Sequence, residues 1–348
     1  MSHRNKATFR DAGAVDTQTA SSPHTMATGE QLVQRGVAPS VAGLKKRHAV
    51  PHDICGVAPV EADRIATLSF DMENVTAPFA NMLRRVILTE VPTMAIDRVL
   101  IHENDGVVLD ELLSHRLGLC PVAAPAEAFE FLTMADTPDF ASPSPRHVLR
   151  FDLDVAVPNE PSAPPVTNVF SSSLQWVPLP GQEALAEAKA VSLVHQDILL
   201  AKLGRGQRIK LQAYAIKGLG LAHAKWAPVS ACWYDMKTEV SLTKPLTGAA
   251  AQRVVEACPT NVFAIEDGAA RVRKAEKCTL CRECVKVENE DLGVVVQKDK
   301  TRVKFTIESM GQYAHPEDII RTALTTFAAR CRNLKQLVGE CDIADPKA

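Results

Sequence analysis

Phe79-Ala80-Asn81-Met82-Leu83-Arg84-Arg85-Val86-Ile87-Leu88-Thr89-Glu90-Val91-Pro92-Thr93-Met94-Ala95-Ile96-Asp97 reads as an amphipathic helix that runs into a proline and then a strand. Phe79, Leu83, Val86 and Ile87 recur at helical spacing and form one apolar stripe, with Arg84 and Arg85 on the polar side. Thr76 stands where an N-cap would, and Pro78 is tolerated in a first turn whose N–H groups have no helical partner anyway. Pro92 ends the helix because it can neither donate the next hydrogen bond nor clear the preceding turn. The stripe reads as a docking face, and nothing in the segment assembles an acid, a base and a nucleophile.

Working outward, residues 62–72 alternate apolar and polar, with Ile65, Leu68, Phe70 and Met72 on one side, and predict a strand that feeds this helix. Residues 94–102 predict a second strand. Asn104-Asp105-Gly106 supplies turn chemistry, and a short helix follows over 110–119 with Gly118 as its stop. Residues 123–172 are rich in Pro, Ala and Ser around one predicted strand at 147–157, and the run from Pro158 to Pro165 reads as a surface loop. Residues 174–178, 198–203 and 207–217 have the content of antiparallel strands, and 303–309 alternates as another.

A last helix begins at Pro316. Glu317 and Asp318 sit in its positive first turn, and Ile319, Ile320, Ala323, Leu324, Phe327, Cys331, Leu334 and Leu337 trace a core stripe. Two amphipathic helices therefore lie at opposite ends of the folded chain. The economical arrangement puts them in one domain, with the intervening residues inserted into it.

The 348 residues are 46% apolar and 23% charged, enough for a large core and two or three domains. Lys plus Arg number 39 against 41 Asp plus Glu, so no global positive field exists to hold a phosphate backbone, and sequence-specific DNA binding by this chain is not expected. No run of eighteen apolar residues occurs, so no membrane partner is expected either. Residues 1–60 lack a sustained apolar period and predict a disordered tail. Asp11, Asp16 and Glu30 weaken a transit-peptide reading of it, and Lys45-Lys46-Arg47-His48 reads as solvated tail before it reads as an import signal.

Cys278-x-x-Cys281-x-x-Cys284 places three thiols at the spacing of iron–sulfur ligands, and Cys258-Pro259 supplies the remote fourth. One [4Fe–4S] cluster at most can be built, because no second triplet precedes Cys258 and Glu288 stands where a second Cys-Pro would fall. Zinc is the less favoured rival, since its sites usually use separated cysteine pairs, and four free thiols are the bland alternative. A structural role is expected in preference to electron transfer, and the nine cysteines suit a reducing compartment. Asp110, Glu111 and His115 lack a third oriented group for catalysis. The glycine-rich stretch 218–229 lacks the strand–turn–helix context of a phosphate cradle, and its His223, Lys225 and Trp226 suit a protein contact better than a stacked base.

Several blocks in one order resemble the alpha-like subunits of cellular RNA polymerases. They are the helix at 79–90 with Glu90-Val91-Pro92-Thr93-Met94-Ala95-Ile96, Asp110-Glu111, His115-Arg116-Leu117-Gly118-Leu119-Cys120-Pro121, and 305–311 followed by Pro316. Cys120 stands where the family usually has an aliphatic residue. Trp176-Val177-Pro178-Leu179, the block 194–203 and the block 217–229 resemble the larger alpha-like subunit shared by polymerases I and III more than its polymerase II paralogue.

That resemblance implies an α+β fold: a discontinuous dimerisation domain from 61–98 and 297–340, an inserted mixed α/β domain at 99–245, and a small ferredoxin-like cysteine subdomain at 246–296. It implies a non-catalytic assembly subunit of the nucleus and nucleolus. Phe79, Leu83, Val86, Ile87, Ile320, Leu324 and Phe327 would meet a smaller alpha-like partner. His115, Arg116, Lys225 and Trp226 would make a subunit contact, and the second-largest subunits of polymerases I and III are the further partners implied. The alternatives are the polymerase II paralogue and a ferredoxin-like electron-transfer protein, which would not need two docking helices.

Overall fold

The computed structural model describes residues 40–48, 66–132, 143–287 and 290–340. In chain order its elements are β1 (Ser40–His48), β2 (Ala66–Glu73), α1 (Ala77–Thr89), β3 (Pro92–Asn104), α2 (Asp110–Gly118), β4 (Val122–Ala123), β5 (Val148–Ala156), β6 (Val166–Phe170), β7 (Gln175–Val177), α3 (Glu183–Glu187), β8 (Ser192–Leu193), β9 (Leu199–Gly204), β10 (Arg208–Leu219), β11 (Val229–Leu242), α4 (Gly248–Ala257), β12 (Phe263–Glu266), β13 (Ala269–Val272), β14 (Lys286–Val287), β15 (Glu290–Asp291), β16 (Val294–Ser309) and α5 (Pro316–Glu340). The fold is α+β.

One antiparallel sheet has the order β1-β2-β16-β11, and α1 and α5 pack against it. Alternation along β2 sends Ala66, Leu68, Phe70 and Met72 inward, as the period-2 pattern requires. Phe70 stands directly opposite Phe305, with ring centroids 5.5 Å apart, and Leu83, Val86, Ile87, Ile307, Ile319 and Ala323 close the core around them. Thr76 occupies the N-cap position in extended geometry, but its side chain makes no capping hydrogen bond.

The chain leaves this sheet after α1. A second antiparallel sheet, β3-β10-β5-β7, gathers Met94, Ile96, Leu113, Leu117, Leu149, Phe151, Leu153 and Leu211 into a separate core. A third, smaller core lies around α4 and β12–β13 and takes in Val294 and Val296.

Two expected boundaries shift. β3 already belongs to the second sheet from Pro92, because Pro92–Asn104 pairs along β10, so the first sheet's share of this segment stops short of residue 98. Residues 229–242 fall within the insert expected at 99–245, yet they form β11, which pairs with β16 from Val229 to Leu242 as a strand of the first sheet. Period-2 alternation marks a strand but carries no information about which sheet will take it.

β11 and β16 run together through both the first sheet and the small third core, and a register shift between Met236 and Thr238 bends them. At that bend Asp299 is buried, accepts from the Thr301 N–H at 2.8 Å and the Thr301 hydroxyl at 2.7 Å, and pairs with Arg302, which also reaches Glu239. Burial acts to raise the Asp299 carboxyl, and Arg302 and Thr301 outweigh it, holding it below the usual carboxylate range.

The tail expected to be disordered contributes β1, an edge strand paired antiparallel along β2 with a bulge at Gly43, whose φ of 62° is left-handed. Backbone pairing to an open edge does not need an apolar stripe, and Val41 and Leu44 are exposed, which is why periodicity missed it. The remaining tail, including Asp11, Asp16 and Glu30, lies outside the described residues.

Candidate subunit-docking surfaces

α5 is 25 residues long, about 37 Å at 1.5 Å per residue, and its own domain covers only its first half. Ile319 and Ala323 are buried and Ile320 and Phe327 half-buried. Leu324, Cys331, Leu334, Leu337 and Val338 are exposed, Leu334 at 61% of its surface. Ile320, Leu324, Phe327, Cys331, Leu334 and Val338 follow one another at alternating four- and three-residue steps, the spacing of a seam between packed helices. Arg330 reaches Glu90 at 2.6 Å and tethers the helix to the end of α1. The chain thus holds up a rigid apolar row that nothing of its own covers among the described residues.

α1 is different. Leu83 is 2% exposed, Val86 3% and Ile87 fully buried, all three in the core of the first sheet. They were expected at a subunit interface, and the structure corrects this: the stripe faces this chain's own strands. Phe79 and Met82 are half-buried at the margin of that core. An amphipathic stripe says that one face is covered but not by which chain.

The second contact group divides in the same way. His115 and Arg116 are exposed on α2, with Arg116 donating to the carbonyl of Leu199. Lys225 donates to Asp97 at 2.7 Å and to the Ile96 carbonyl at 3.0 Å, and its ammonium lies 4.4 Å over the Trp226 ring. Trp226 is 8% exposed and gives its indole N–H to the Ile216 carbonyl at 3.1 Å, while Thr93 donates to the Trp226 carbonyl. Trp226 is an internal strut, so neither the contact assigned to it nor base stacking is open to it. Lys225 still borders a recess of about 300 Å³ with His115, His223, Ser114 and Leu119. The glycines of this stretch have a steric reason. A Cβ at Gly218 would lie 2.3 Å from the Trp226 ring, and one at Gly220 would lie 2.0 Å from the Leu88 carbonyl oxygen.

In the third core Cys258 and Cys284 are buried, Cys278 is half-buried and Cys281 exposed, and all four are free thiols. Leu280 and Arg282, on either side of Cys281, take left-handed φ of 62° and 63°, so the loop turns sharply through the triplet. The Val262 N–H donates to Cys258 Sγ at 3.4 Å. Burial pushes the Cys284 thiol up to about 11, and the charges of Cys258, Cys278 and Cys281 add to the rise. The donor chemistry suits a thiolate-ligated cluster. The thiols are not drawn together into a ligating set, however, since among the described residues no three His, Cys, Asp or Glu side chains are grouped to hold a metal ion.

The family model for the RNA polymerase Rpb3/Rpb11 dimerisation domain matches residues 69–331, more than half of the chain. The chain belongs to this dimerisation family. It is 32% identical over 284 residues to the DNA-directed RNA polymerases I and III subunit rpac1 of Dictyostelium discoideum, covering 78% of this chain and 79% of that one. It is 32% identical over 280 residues to the subunit RPAC1 of Mus musculus, covering 76% and 80%. Against the RNA polymerase II subunit rpb3 of Dictyostelium discoideum the identity is 29% over 290 residues, covering 79% and 92%.

Within a dimerisation family the exposed row of α5 is the feature that needs a second chain. The stripe pattern places Leu334, Leu337 and Cys331 in this chain's core and does not single out Val338. The available signal was length: one sheet cannot cover the whole of a 25-residue helix, so a stripe that continues to its end needs another partner.

Proposed function

We propose that this chain is the larger alpha-like assembly subunit of RNA polymerases I and III, and that it pairs through α5 with a smaller alpha-like subunit to seat the large catalytic subunits. The exposed row from Leu324 to Val338, on a chain of the dimerisation family, carries this reading. The higher identity to the polymerase I and III subunits than to rpb3 favours that pair of enzymes over polymerase II. The chain is a non-catalytic subunit, and nucleotidyl transfer belongs to the whole enzyme. It would work in the nucleus, including the nucleolus, in transcription of rRNA, 5S rRNA and tRNA. His115 and Arg116 are the exposed residues offered to the second-largest subunits. Co-expression with the smaller alpha-like subunit should give a 1:1 complex that survives gel filtration; elution of the two chains apart would reject the pairing.

We also propose that Cys258, Cys278, Cys281 and Cys284 hold a single structural [4Fe–4S] cluster. The ligand-type spacing of the four cysteines, the place of Cys258, Cys278 and Cys284 in or against one small core, and the N–H donor on Cys258 support it. Anaerobically purified chain should carry about four irons and four sulfides per molecule. One zinc with no sulfide would identify the rival site, and absence of both would leave free thiols.

A further inference from the structure

A recess of about 320 Å³ opens in the second sheet's domain, between β7 and the β8 segment. Its floor is Phe151, Leu174, Val191 and Leu193, all buried, and its rim carries serine and glutamine side chains; among the described residues no Asp, Glu, Lys, Arg or His lines it. Trp176 also lines it, and the indole Nε1 of Trp176 is buried with no hydrogen-bond partner among the described residues. A buried donor left unsatisfied is costly, and native proteins seldom keep one without a water or a ligand to accept it.

Among the described residues β7 is the terminal strand of its sheet and bonds only to β5. Among the described residues Gln175, Trp176 and Val177 make no main-chain hydrogen bond to anything else. An open strand edge beside an apolar recess is the arrangement that takes up an added strand.

We propose that this recess is a docking site for an extended, uncharged peptide segment of another polymerase subunit. The segment adds a strand to the free edge of β7, accepts the Trp176 indole N–H with a main-chain carbonyl, and places a small apolar side chain on Phe151 and Leu193. The chemistry of the occupant follows from the recess: its neutral lining disfavours a charged group, and the edge demands main-chain donors and acceptors. Only the owner of the segment rests on the function proposed above.

Hydrogen exchange tests this directly, by comparing the heterodimer of this chain and its smaller partner with the intact polymerase. The β7 amides should exchange at least tenfold more slowly in the intact enzyme. A photocrosslinking residue at exposed Gln175 should capture one polymerase subunit through one extended segment, identified by mass spectrometry. Trp176→Phe keeps the ring and removes the donor; it should leave the heterodimer intact and lower both the protection and the crosslink. Equal exchange in the two assemblies with no crosslink would mean that only water fills the recess, and would overturn the proposal while leaving polymerase membership standing. Protected β7 amides in a complex without polymerase subunits would keep the peptide site and overturn the assignment of its owner.

Discussion

Leu83 and Leu334 are both leucines on apolar stripes of amphipathic helices, yet the structure predicts opposite consequences for truncating them. Leu83 is 2% exposed inside the first sheet's core, so Leu83→Ala removes packed methyl groups and leaves a cavity, costing about 2–5 kcal/mol of folding stability. Leu334 is 61% exposed, so Leu334→Ala should change the stability of the free chain by no more than about 0.5 kcal/mol. Its effect should fall on association. Full burial of a leucine contributes about 1.5–3 kcal/mol, and the share still exposed here leaves about 1–2 kcal/mol for the partner to gain. At about 1.4 kcal/mol per tenfold, the heterodimer Kd should rise roughly 5- to 30-fold. Urea denaturation of the free chain and titration with the labelled smaller subunit separate the two effects. A Leu334→Ala chain that binds at wild-type strength, or a Leu83→Ala chain of wild-type stability with weakened binding, would refute the assignment of α1 to the core and α5 to the interface.

Three further consequences follow from particular contacts. Gly220→Ala should destabilise the fold by about 1–3 kcal/mol in denaturant titration, because its Cβ would lie 2.0 Å from the Leu88 carbonyl oxygen, a backbone atom that cannot swing aside. Asp299→Ala should cost about 1–3 kcal/mol by stranding the Thr301 N–H and hydroxyl; because the Asp299 carboxyl is held low, its contribution is present above the ordinary carboxylate pKa and is lost as pH falls through the folded value. Burial raises the Cys120 thiol from 9.0 to about 11 against the opposing charge of Arg116, so its contribution is full below pH 9.0 and is lost as pH rises through about 11. The stability gap between wild type and Cys120→Ala should therefore shrink by about 2 kcal/mol between pH 8 and pH 11, and a constant gap would show that the thiol is hydrated.

Elements whose residues repeat with a single period were legible in the sequence. The helix at 77–89, the strand at 148–156 and the start of α5 at Pro316 each announce themselves through spacing, proline or charge placement. What could not be read was who covers each face. Leu83 and Leu334 give the same signal in sequence and opposite burial in the fold, because periodicity reports amphipathicity and not the neighbour. Trp226 was misread for a related reason: a loop composition of Gly, His, Lys and Trp suggests a surface patch, while Gly218 and Gly220 in fact let the backbone close over the ring and against α1. β1 and the sheet membership of β11 were hidden because pairing is decided by free edges elsewhere in the chain.

Incorporation into RNA polymerases I and III through the α5 seam is the proposal from which the rest follows. Affinity purification from the protein's own cells, with stoichiometric companions identified by mass spectrometry, tests it most directly. The wild-type chain should bring down the largest subunits of both polymerases together with one smaller alpha-like subunit, all lost when Leu324 and Leu334 are changed to aspartate. Recovery of polymerase II subunits alone, or of the full set with the aspartate variant, would contradict it.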